Sequence, residues 1–105
     1  MAKSKTKIEE EHNAAVRRLE KTLSLLGIRT LTHLQWTKGN TGGEIDLVAI
    51  YPCGHLVIYE IKARETETGY KNAKKQYERF LREHQLAREE IPAYVCFGNL
   101  HAREL

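Results

Sequence analysis

Apolar residues recur at three- and four-residue steps through the first quarter of the chain: Ile8, Ala15, Val16, Leu19, Leu23 and Leu26. That spacing lays them along one stripe of a helix and predicts a first helix over Thr6–Leu26. Thr6 followed three residues later by Glu9 has the form of a capping box, and Gly27 stands where a helix commonly closes. His12 falls inside the apolar stripe and is expected as a buried, hydrogen-bonded histidine. Arg17, Arg18 and Lys21 fall on a solvated face that can approach phosphates. Residues 1–7, with Lys3, Lys5 and Lys7 among small polar side chains, are expected to form a basic flexible tail. Residues 8–105 are expected to form a single domain.

After Gly27 the period shortens. Ile28–Trp36 alternates imperfectly and predicts a first strand, with Trp36 packing at its end. Lys38-Gly39-Asn40-Thr41-Gly42-Gly43 reads as a flexible loop. Such a loop lets a nucleic-acid backbone approach, with Lys38 and the amides of Gly42 and Gly43 as phosphate contacts; a plain connector fits equally well. Ile45–Tyr51 and Leu56–Ile61 carry apolar residues on both faces, the pattern of strands covered on both sides. Pro52-Cys53-Gly54 between them suits a three-residue hairpin loop, because proline presets the first turn position and glycine takes the left-handed one. That loop pairs Tyr51 with His55 and so sets Asp46 opposite Glu60. Side chains alternate along a strand, so Lys62 shares the face of Glu60. Glu44, two residues before Asp46, is expected on the face of Asp46, as a strand-end charge or a further carboxylate at a metal.

Ala63–Gly69 is polar and reads as a loop. Tyr70–Leu86 then returns to the helical period, with Tyr70, Ala73, Tyr77, Phe80, Leu81 and His84 as its apolar stripe. Lys71, Lys74, Lys75, Arg79 and Arg82 fill the rest of that helix. Pro92–Phe97, with the run Ala93-Tyr94-Val95-Cys96-Phe97, predicts a last strand, and Asn99–Leu105 is a short tail without a legible pattern. Helix, three strands, helix, strand fits an α/β domain with a mixed sheet flanked by helices on both faces.

Composition narrows the class only a little. The chain has 105 residues, enough for one modest core, and a net charge of +3, so basic residues matter by position. No apolar run is long enough to span a bilayer and no secretory signal is visible, so an intracellular protein without a membrane partner is expected. Cys53 and Cys96 form no metal-ligand spacing and read as two reduced thiols.

The chemistry lies in the hairpin. Two carboxylates facing each other destabilise a sheet, and Lys62 alone cannot neutralise both. In a buried setting uncompensated charge is more costly still. A hard divalent cation such as Mg²⁺ (or Mn²⁺) binds one or two carboxylates and keeps several waters, so it would remove the repulsion and leave Lys62 to act on a water or a phosphate oxygen. An edge hairpin with a cross-strand salt bridge is the plainer alternative.

Asp46, thirteen intervening residues, then Glu60-Ile61-Lys62 resembles the signature of the PD-(D/E)XK nuclease superfamily. The flanking Gly43-Glu44-Ile45-Asp46-Leu47-Val48-Ala49 and Val57-Ile58-Tyr59-Glu60-Ile61-Lys62-Ala63-Arg64 are similar to archaeal-type Holliday junction resolvases and to virus-type replication-repair nucleases. Ile45 departs from the proline often found before the aspartate. The resemblance implies the restriction-endonuclease-like αβββαβ core. It implies Asp46, Glu60 and the Ile61 carbonyl as ligands of Mg²⁺ or Mn²⁺, with Lys62 catalytic. A first-helix glutamate often joins the site in these families; the usual position falls near Val16, and Glu9 on the same side of the helix is the candidate. Gln76 on the helix after the Glu-x-Lys strand is placed near the scissile phosphate, and Arg64, Lys71, Lys74 and Lys75 on the DNA. A symmetric homodimer is implied too, through the sheet edge at Tyr94–Phe97 or the aromatics Trp36 and Tyr51.

The expected function is therefore a metal-dependent DNA endonuclease, with branched DNA as one candidate substrate. A non-catalytic nucleic-acid-binding module on the same fold, or a nuclease subunit of a larger repair or replication assembly, is the alternative. A hydrolase of small phosphorylated molecules is disfavoured by the basic second helix and the lack of a glycine-rich phosphate cradle.

Overall fold

A computed structural model describes the backbone of residues 2–105 and the side chains from Lys7 onward. The order of elements is α1 (Ala2–Leu25), β1 (Arg29–Lys38), β2 (Thr41–Ile50), β3 (Leu56–Lys62), α2 (Glu67–His84), β4 (Ala93–Phe97) and β5 (Ala102–Glu104). The strands form one sheet in the order β1-β2-β3-β4-β5. Only β3 and β4 run parallel, joined across α2; every other pair is antiparallel.

The helices cover opposite faces. Ala15, Val16, Leu19 and Leu23 of α1 pack on Leu47, Ala49, Ile61 and Cys96. Ala73, Tyr77 and Leu81 of α2 pack on Ile45, Val48, Ile58, Val95 and Phe97. This is why β2 and β3 read as apolar on both faces. Burial of each valine, leucine, isoleucine or phenylalanine among them contributes about 1.5–3 kcal/mol, which is enough to fix the sheet between the helices. No helix among the described residues is long and apolar enough to cross a membrane.

The β2–β3 hairpin has the expected register. Tyr51 N–H donates to the His55 carbonyl at 3.0 Å, and Gly54 N–H to the Tyr51 carbonyl at 2.8 Å. Gly54 has φ +91°, the left-handed position that closes the loop. The first helix ends as expected, with Ile28 N–H donating to the Leu23 carbonyl and Gly27 N–H to the Ser24 carbonyl, both at 3.0 Å, a Schellman closure.

Four expectations are corrected. First, α1 starts at Ala2, so the flexible tail is not seen from Ala2 to Lys7: that run has neither proline nor glycine, and alanine and lysine favour helix. Met1, the side chains of Lys3 and Lys5, and the Thr6 half of the capping box lie outside the described residues. Thr6 is inside the helix, not at its start. Second, Lys38–Gly43 is no loop. Lys38 pairs with Thr41, Thr37 with Gly42 and Trp36 with Gly43, which leaves Gly39-Asn40 as a two-residue turn. Third, α2 begins at Glu67 because Thr66 caps it, its hydroxyl accepting from Gly69 N–H at 2.9 Å. Fourth, the C-terminal tail adds β5 along β4, so the edge at Tyr94–Phe97 is already paired. Trp36 and Tyr51 are half-buried, and the edge strands of the sheet are β1 and the short β5.

One close approach pins the site end of the sheet. A Cβ on Gly98 would lie 2.4 Å from the Ala63 carbonyl oxygen, a backbone atom with little freedom to move. Arg18 of α1 also donates to the Gly98 carbonyl. Gly98→Ala is expected to cost about 2–4 kcal/mol through this clash, read as a lower urea midpoint. A midpoint equal to wild type would show that the strand ends can separate freely.

Candidate active site

Asp46 and Glu60 are the buried charged residues of the core, 8% and 4% exposed. β2 and β3 bring them together, and the geometry is less regular than strict alternation predicts. Ile45 and Val48 both face α2, whereas Leu47 and Ala49 face α1. An unbroken strand would send residues three apart to opposite faces, so β2 changes phase at Asp46. The opposite strand breaks with it. The register runs from Thr32–Leu47 to Leu34–Ile45 and omits His33 and Asp46 between them, and His33 has φ +52°. A histidine accepts this left-handed conformation more readily than a β-branched residue does.

The break frees the Asp46 side chain for work that a ladder bond would otherwise do. Its Oδ2 accepts the Ile61 N–H at 2.8 Å, beyond the last regular β2–β3 pair, Leu47–Tyr59. Asp46 is thereby locked to the backbone between Glu60 and Lys62. The inference that Glu44 shares its face does not carry across the break. Glu44 is exposed, with Oε1 3.0 Å from His33 Nδ1.

Burial, followed by the neighbouring Asp46 charge, pushes the Glu60 carboxyl up to about 9, with Lys62 pulling the other way. Two carboxylates cannot both ionise here without a compensating cation. Lys62 is half-buried and makes no ion pair within 4.0 Å among the described residues. It lines an open cleft with Ile8, Glu9, His12 and Asn13 of α1.

His12 is the first-helix residue that reaches the carboxylates. Its Nε2 lies 3.4 Å from Asp46 Oδ2, and that hydrogen bond raises its pKa above 6.5 against the effect of partial burial. It is half-buried at the site, not enclosed in the core. Glu9, one turn earlier, is exposed and lines the same cleft without contacting Asp46. The spacing signal was present: the stripe position nearest the acidic pair is held by histidine.

On the α2 side, Gln76 lines a cavity of about 40 Å³ with Glu60, Trp36 and Arg79, so the structure brings it beside Glu60. Arg79 was not singled out for the site by its sequence. Its Nη2 donates to the Gly42 carbonyl at 2.6 Å, and its guanidinium lies 5.7 Å from the Trp36 ring centre. A Cβ on Gly43 would sit 3.0 Å from both Arg79 Nη2 and Trp36 Nε1. Gly43 thus serves a close approach by side chains of its own chain, and the Gly42 carbonyl is occupied. Lys38, Gly42 and Gly43 are strand residues; Lys38 is exposed at the hairpin end. Arg64 is exposed, with Nε 3.7 Å from Glu11 Oε2, beside Lys62. Lys71 and Lys75 are exposed on α2 and Lys74 is half-buried.

Among the described residues no group of three or more His, Cys, Asp or Glu side chains is arranged as a ready metal cage. Two carboxylates and a backbone carbonyl still suit a hard cation that retains waters. The burial of both carboxylates is the observation that fits such an ion, since a divalent charge would offset the repulsion that burial leaves. Comparison of the chain with known protein families, characterised proteins and solved structures finds no match.

Proposed function

We propose that this chain is a metal-dependent DNA endonuclease with the restriction-endonuclease-like core of the PD-(D/E)XK nucleases. The observation that carries the reading is the buried Asp46–Glu60 pair with Lys62 beside it, free of any ion pair among the described residues. A structural hairpin gains nothing from two like charges in its interior, whereas a cation site requires them.

Asp46, Glu60 and the Ile61 carbonyl would hold Mg²⁺ or Mn²⁺. Such an ion supplies Lewis acidity, drawing electron density from a phosphate oxygen and making water a better nucleophile at neutral pH. The protein's own groups do the rest. The Ile61 amide fixes Oδ2 of Asp46, so Oδ1 would be the oxygen available to a cation. His12 holds the Asp46 carboxylate from the α1 side. Lys62 places a positive charge where negative charge grows on the phosphate, or orients the attacking water. Gln76, beside Glu60, offers an amide to the same phosphate. Lys71, Lys75 and Arg64 are exposed cations around the site for the flanking backbone.

The test is incubation with linear, single-stranded, nicked and four-way-junction DNA. Cleavage is expected with Mg²⁺ or Mn²⁺, and binding without cleavage with Ca²⁺. Full activity in excess chelator would sink the reading. Binding with no cleavage in any metal would instead favour the non-catalytic module.

A further inference from the structure

A second basic site lies on α1, away from the acidic pair. Asn13, Arg17, Lys21 and Ser24 follow one another at three- or four-residue steps, so they share one flank of the helix. The N-terminal end of that flank opens on the cleft of His12 and Lys62, through Asn13. Its C-terminal end opens on a separate cleft of about 670 Å³ between α1 and the start of β1, where Arg17 and Lys21 meet Arg29. None of these three cations makes an ion pair within 4.0 Å among the described residues. The one carboxylate in the cleft, Glu20, lies 3.4 Å from the Thr30 hydroxyl. Three cations against one carboxylate leave the cleft with a surplus of positive charge at a concave surface.

We propose that Arg17, Lys21 and Arg29 form a second contact for the phosphate backbone of the substrate, remote from the cut. The inference rests on the nuclease reading and adds to it the course of the nucleic acid. Eight residues of helix separate Asn13 from Lys21, a rise of about 12 Å. One strand of a duplex advances about 3.4 Å per phosphate, so the contact falls about three to four nucleotides from the site. Arginine at two of the three positions suits phosphate, whose oxygens its fork can bind in pairs. The path follows the flank of α1, opposite to the basic ridge of α2, so the two helices would hold the backbone on either side of the scissile bond.

The triple variant Arg17→Ala, Lys21→Ala, Arg29→Ala tests this. All three side chains are exposed, so the fold should survive, as an unchanged thermal midpoint would confirm. Binding of a labelled 20-base-pair duplex in Ca²⁺ is followed by anisotropy against KCl concentration. The log–log salt slope is expected to become shallower by about 2–3 in the variant. Cleavage in Mg²⁺ should fall on that duplex but not on one ending about two base pairs from the cut. An equal loss at both lengths would mean a general field effect and would overturn a located contact. An unchanged slope in a variant that still cuts overturns this inference alone. If wild type neither binds nor cuts DNA, the nuclease reading falls with it.

Discussion

Glu60→Gln is expected to abolish DNA cleavage and, in chelator, to make the protein more stable. Both effects come from the same buried charge. The unfolded chain ionises Glu60 near 4.5, whereas the folded chain holds the proton up to about 9 because burial and Asp46 oppose the charge. The folded state thus binds more protons across that window, and metal-free stability must fall as pH rises from about 4.5 to about 9. His12 acts in the same direction: its raised pKa contributes stability that is present below 6.5 and lost at higher pH. Gln carries no proton to lose, so the variant should lack most of this slope and gain on the order of a few kcal/mol at pH 8. Mg²⁺ should flatten the slope of wild type and leave the variant nearly unchanged. Asp46→Asn should also lose cleavage while keeping an amide oxygen for the Ile61 N–H, so its fold should persist. Urea unfolding at pH 5, 7 and 9, with and without metal, reads all of this. A wild-type midpoint that rises with pH in chelator would mean that the pair is not strained.

Lys62→Ala separates binding from chemistry. The ammonium lies beside the pair and has no carboxylate within ion-pair reach among the described residues. Its removal should leave the metal ligands in place and DNA binding in Ca²⁺ close to wild type. Cleavage should slow by about 10²–10³-fold, the usual effect of losing one preorganised donor aimed at developing charge. Single-turnover rates at saturating enzyme isolate the chemical step from affinity. A variant that cuts at the wild-type rate would reduce Lys62 to a packing partner of the α2 start, where its side chain lies near Gly69.

Patterns carried by near neighbours were legible in the chain. The apolar stripe from Ala15 to Leu23, the alternation of β3 and the Pro52-Cys53-Gly54 loop each depend on residues a few positions apart. A three-residue loop leaves one register, so the pairing from Ile50–Leu56 to Leu47–Tyr59 followed from the turn alone; the ladder stops there, and Asp46 meets β3 through the Ile61 amide. The expected strand Pro92–Phe97 also forms, one residue shorter as Ala93–Phe97. The two-sided apolar pattern of β2 and β3 required a layer on each face, and α1 and α2 supply them.

Other features had no local cause, and only the tertiary structure decided them. Gly42 and Gly43 resemble a loop by composition, yet they are strand because Trp36 and Arg79 cover the space a side chain would fill. Ala102–Glu104, within the tail Asn99–Leu105, becomes β5 because β4 offers an edge, which no neighbour in sequence announces. Glu9 and His12 are one turn apart on the same stripe. Which of them meets Asp46 depends on how far α1 slides along the sheet, and packing of Val16, Leu19 and Leu23 sets that slide. The phase break at His33 and Asp46 is decided the same way: the Asp46 carboxylate takes the Ile61 amide once β3 lies beside it, and the strand rotates to allow this. Periodicity determines which residues share a face within an element. The meeting of faces across elements is fixed by packing and by hydrogen bonds between residues far apart in sequence.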